Sequence, residues 1–136
     1  MFRSWALPAG GYILVTGAIG VTARIALRTV AWPEILICTA IAYVCVAVCC
    51  FIWARPTLGL NEGTGMGLLT GFLAATGIIF LFVALGHGEV TRVVPVTSAY
   101  PIVTLILSVF FLRESLPATR VLGAVLVVIG VGLTAQ

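Results

Sequence analysis

Few side chains in this sequence can do chemistry, and one stretch holds most of them. Thr97, Thr104 and Ser108 recur at i, i+7 and i+11, so on a helix their hydroxyls share one face, with Tyr100 one turn along. Pro101 falls inside the same stretch. A proline has no N–H to give, so the carbonyl of Thr97 would lose its helical partner. In hydrocarbon such a group needs protein or a wet cavity beside it. Interrupted helices with polar faces are a known way to hold a solute at membrane depth. The chemistry implied is recognition by hydrogen bonds at Thr97, Tyr100, Pro101, Thr104 and Ser108, with no covalent step. The competing reading is a harmless kink whose hydroxyls bond to their own backbone.

Arg24 is the second candidate. It continues the face of Gly10, Gly17 and Gly20 and has no carboxylate within one turn. A charge at the bilayer centre costs about 2.5–3.5 kcal/mol, and less near a helix end where it can snorkel. Arg24 either snorkels to the interface, binds an anionic group, or pairs with Glu34 across the connector. His87 lies between Gly86 and Gly88, which reads as a mobile surface imidazole in a connector. Glu89 and Arg92, three apart, are spaced to pair at a helix start.

No catalytic set emerges: there is one histidine, no aspartate and no phosphate-binding glycine loop. Enzyme activity is not expected, and neither is a cofactor. Cys38, Cys45 and Cys49 fall on one helical face inside an apolar run, with Cys50 beside them and no CxxC spacing. They read as small packing residues and not as a metal site.

These residues must be positioned by elements that water would not tolerate. The chain is 62% hydrophobic and 8% charged, against about 25% charged in soluble domains. Its mean hydropathy is +1.26. The apolar runs are continuous and lack the alternation of a membrane barrel. The fold class is therefore an all-α integral membrane protein, one domain over residues 1–136. The net charge of +3 is too small and scattered for nucleic acid. Met1 to Trp5 lead into an apolar run without a small-residue cleavage site, which reads as a retained first helix.

Five spans fit: Trp5 to Ala23, Pro33 to Trp53, Gly65 to Leu85, Thr91 to Leu112 and Ala118 to Thr134. Each is near the roughly 20 residues that cross a hydrocarbon core of about 30 Å. The connectors hold nearly every charge, and Trp5, Trp32 and Trp53 fall at span ends as an aromatic belt requires. Pro33 and Pro117 stand at tolerated start positions. Gly63, Gly67, Gly71 and Ala75 form a small-residue ladder, Gly17 belongs to the span 1 face, and Gly123 and Gly130 recur in span 5. Close helix packing is the expected use of Gly17, Gly67, Gly71, Gly123 and Gly130. An odd span number puts the termini on opposite sides. Arginines then divide four (Arg3, Arg55, Arg113, Arg120) against three (Arg24, Arg28, Arg92), almost no orienting bias.

From Ala84 the chain resembles the last two helices of an EamA-type domain of the drug/metabolite transporter superfamily. The residues that carry this are Ala84-Leu85, Arg92-Val93-Val94-Pro95, Tyr100-Pro101, Phe111-Leu112-Arg113-Glu114, Gly123 and Val128-Ile129-Gly130-Val131. Before Ala84 the likeness rests on span number and short connectors. The resemblance implies a ten-helix transporter of two inverted five-helix repeats, of which this sequence is one half. It is also similar in plan to the small multidrug resistance proteins, but span 1 lacks their membrane-embedded glutamate.

The expected function is a membrane transporter, or a transporter subunit, moving a small metabolite or amphiphile by alternating access. The expected location is the bacterial inner membrane. The expected partners are a second copy or a second short chain of this kind, antiparallel packing included, with lipid around them. A subunit of a lipid-linked-sugar flippase and a non-transporting subunit that stabilises another membrane protein are the alternatives.

Overall fold

The computed structural model describes residues 6–57, 59 and 61–134. The expected start of span 1 at Trp5 and Arg3 of the arginine division lie outside the described residues. Among the described residues six helices form: α1 (Ala6–Ala26), α2 (Trp32–Ala54), α3 (Glu62–His87), α4 (Val90–Thr97), α5 (Tyr100–Leu112) and α6 (Ala118–Thr134). They fall into two compact units, residues 1–87 and 88–136.

The protein is an all-α multi-pass membrane protein. Among the described residues, α1, α2, α3 and the stretch Val90–Leu112 are long and apolar enough to cross a bilayer. Helix α6 is shorter, with 17 residues, or ~25 Å at 1.5 Å per residue, the low end of what spans. Large apolar side chains point outward throughout, with Trp53 at 88% and Phe111 at 82% exposure. In water that surface would aggregate; lipid is its solvent.

Local chemistry sets the helix ends. Asn61 starts α3 three residues earlier than hydropathy alone suggests, because its Oδ1 accepts the Thr64 N–H at 2.9 Å. Pro33 sits in the first turn of α2, where a missing N–H costs nothing. Arg55 and Arg113 close α2 and α5 in the left-handed conformation. At α5 both the Arg113 N–H and, at 3.4 Å, the Glu114 N–H turn back to the Ser108 carbonyl, the closure that a left-handed cap allows. Pro56, one residue after Arg55, prevents continuation of α2.

In the first unit both α1 and α2 pack on α3. The small core sits at one end of that unit, where Gly20 and Ala23 of α1 and Ile35 of α2 meet Phe82 and Leu85 of α3. Leu85 is fully buried and Phe82 is 2% exposed. In the second unit α6 packs on α4, and an apolar groove of about 310 Å³ runs between Ile102, Leu105 and Val109 of α5 and Val121, Ala124 and Val128 of α6.

Candidate functional site

Span 4 is interrupted. Helix α4 ends at Thr97 and α5 begins at Tyr100, with Ser98 and Ala99 as a turn between them. Pro101 is therefore not deep inside a helix, as hydropathy suggests, but in the first turn of α5. There its absent N–H is one of the four that no helix satisfies. The break precedes the proline, and the local bonds show how. The Ala99 N–H turns to Val96 at 3.2 Å and the Ile102 N–H to Ala99 at 3.0 Å, three-residue bonds that tighten the chain. Val94 carries the load on the α4 side. Its carbonyl accepts the Ser98 N–H at 3.0 Å, the Ser98 hydroxyl at 2.7 Å and the Thr97 hydroxyl at 3.0 Å. Ser98 went unnoticed as a site residue, although a serine just before Tyr-Pro is a fair signal for a side chain that competes for helix carbonyls.

Of the five expected contact residues, Ser108 is half-buried. Thr97, Tyr100, Pro101 and Thr104 are exposed, while Ile102 and Leu105 turn into the second unit. Three of the hydroxyls donate to nearby backbone carbonyls: Thr97 to Val94, Thr104 to Tyr100 at 3.3 Å and Ser108 to Leu105 at 3.0 Å. Those three protons are thus engaged, and what Thr97, Thr104 and Ser108 present is oxygen lone pairs. Such a face suits a solute that brings donors.

Arg24 belongs to the first unit and stands in the last turn of α1. Its Nη1 donates to the carbonyl of Leu85, and to that of Gly86 at 3.4 Å. Both carbonyls are in the last turn of α3, where no intrahelical N–H reaches them. A guanidinium there also meets the negative end of the helix dipole. Glu34 is not its partner; among the described residues the ion pair is Glu89 with Arg92, at 4.0 Å and exposed. His87 is not in a connector. It ends α3, and its Nδ1–H donates to the Val83 carbonyl at 2.8 Å. The ring thus folds back along the last turn of α3 and shares a carbonyl one turn up the helix.

Gly17, Gly67, Gly71, Gly123 and Gly130 make no close approach within their own units. A Cβ added at any of them would meet nothing within 4 Å. The four cysteines are free and exposed along α2, and no metal-binding cluster forms among the described residues.

The model of the EamA-like transporter family matches residues 4–136. An uncharacterized protein of Methanocaldococcus jannaschii is 36% identical over 64 residues, 47% of this chain and 47% of that relative. The matched stretch thus spans about half the length of the relative. No solved structure matches the chain.

Proposed function

The chain belongs to the EamA-like transporter family, and from that premise we propose that it carries a small metabolite or amphiphile across the membrane by alternating access. The observation that carries the proposal is the interruption of span 4 at Ser98 and Ala99, beside a face of Thr97, Tyr100, Pro101, Thr104 and Ser108. Helix breaks at membrane depth expose polar groups that a passing solute can use. The engaged hydroxyl protons point to a solute with N–H or O–H donors.

The working form proposed is a pair, either two copies or this chain with a second short one. Gly17 of α1 and Gly67 and Gly71 of α3 have open space over them in their unit. Such faces accept a neighbouring helix closely. The near-balanced arginines permit the two members to lie antiparallel. The proposed location is the bacterial inner membrane.

The test is solute flux into liposomes holding the purified chain, alone and with its co-purifying partner. Flux of a water-soluble metabolite, lost in Thr104→Val with protein level unchanged, is the expected result. Movement of a polyprenyl-linked sugar instead would select the flippase-subunit reading. No flux under any pairing, together with loss of a partner protein when the chain is deleted, would select the stabilising-subunit reading.

A further inference from the structure

A cleft of about 350 Å³ opens in the first unit between α1 and α2, with Phe82 of α3 as its floor. Small-ligand sites begin at about 300 Å³. Small side chains make the space: Ala23 and Ala26 line it from α1, and Ile35 closes one end. Seven residues along α1 separate Ile19 from Ala26, so the cleft runs ~10 Å along the helix.

The lining is apolar except for three hydroxyl residues, Thr22, Thr39 and Tyr43. The Thr22 hydroxyl donates to Ala18 at 3.0 Å, and that of Thr39 to Ile35 at 2.8 Å. Their lone pairs remain as acceptors, and the Tyr43 phenol both donates and accepts. No charged side chain lines the cleft. The nearest charge along α1, Arg24, has Nη1 committed to α3 carbonyls. An ion would find no counter-charge there, and a hydrocarbon would leave the hydroxyls unused.

We propose that this cleft binds a neutral molecule with an apolar body and one hydroxyl or amide head. It shares no residue with the hydroxyl face of span 4 and stands whether or not the chain moves a solute.

The probe is a photoactivatable benzyl alcohol carrying a diazirine, added to the full chain in nanodiscs, with adducts mapped by mass spectrometry. Adducts are expected on Ile19 to Ala26 and Thr39 to Tyr43, displaced by excess benzyl alcohol but not by toluene at equal concentration. Replacing both threonines, Thr22→Val with Thr39→Val, should lower labelling about tenfold, the scale set by losing hydrogen-bond partners. Should that pair perturb folding, Ala26→Leu fills the cleft instead and should abolish the same adducts with helix content unchanged. Thr104→Val should leave them untouched. Adducts spread over outward side chains such as Phe72 and Phe80, or equal competition by toluene, would overturn the site as simple partition into apolar surface. Crosslinking of a lipid acyl chain at Tyr43 with no alcohol adduct there would overturn it equally.

Discussion

Arg24 of α1 donates Nη1 to the backbone carbonyl of Leu85 in α3, 61 residues away in the sequence. Leu85 is fully buried, so its carbonyl has no water to turn to. The bond joins the last turn of α1 to the last turn of α3 and places a full positive charge at the end of a helix that needs one. The glycine face that leads along α1 ends beside it, with Gly20 and Ala23 buried against α3. The charge at the span end therefore holds two helices together.

Substituting Arg24→Gln should lower thermal stability in detergent by about 1.5–3 kcal/mol, the worth of a hydrogen bond from a charged donor. Arg24→Lys keeps the dipole contribution, about 0.3–1 kcal/mol, and should lose the longer contact to Gly86, since the single Nη1 that reaches both Leu85 and Gly86 stands on the longer arginine side chain. Glu34→Gln should change little, and the double variant should be additive. Strong non-additivity between Arg24 and Glu34 would contradict the placement. Hydrogen exchange at Leu85 to His87 should rise in the Gln variant.

Much of this architecture was legible in the residues, for a physical reason. Length and hydropathy determine which runs can cross a bilayer, and Ala118 to Thr134 is bounded as the sequence suggests because Pro117 forces a start. The exact break in span 4 was not legible. Pro101 announces a disruption, but placing it at Ser98 and Ala99 depends on three donors converging on one Val94 carbonyl. Arg24 was visible as a charge, yet its acceptor is a backbone oxygen, and every residue has one. His87 looks mobile from its two flanking glycines, but as the last residue of α3 its ring reaches the Val83 carbonyl one turn back. The Thr22, Thr39 and Tyr43 cleft left no signal, since hydroxyls on separate helices share no spacing.

Topology is open to direct measurement. Reporter fusions after Ala54, Gly88 and Thr134 should place the first on one side of the membrane and the other two on the opposite side. Five crossings require this pattern, with span 4 and α6 each passing once. A fusion after Thr134 that always shares the side of Ala54 would show that α6, at 17 residues, does not cross.

Glycines with open space give a clean test of pairing. Gly71→Leu should leave the chain folded, because an added Cβ meets nothing within 4 Å of Gly71. It should abolish crosslinked dimers in native membranes and flux together. If crosslinking persists with Leu at both Gly67 and Gly71, the α3 face is not the contact, and Gly17 of α1 is the next candidate. A chain that transports while strictly monomeric would end the pairing proposal.

The hydroxyl face of span 4 yields the sharpest prediction, because its two sides are separated by sequence neighbours. In a background with Cys38, Cys45, Cys49 and Cys50 replaced by alanine, single cysteines at Thr97, Tyr100 and Thr104 should react with a water-soluble maleimide. Cysteines at Ile102 and Val109, which line the apolar groove against α6, should not. The reversed pattern would place the groove in water and the hydroxyls in lipid. Pro101→Ala then separates a conduit from a kink. The alanine restores an N–H that the Thr97 carbonyl can take, so α4 and α5 can fuse into one helix, and stability should hold or rise. If the break serves transport, flux should fall several-fold while protein level is maintained, and the reactivity of Thr97 and Thr104 cysteines should drop with it. Unchanged flux in a more stable Pro101→Ala chain would mean that the hydroxyls serve only their own backbone, as Thr97, Thr104 and Ser108 already do in this structure.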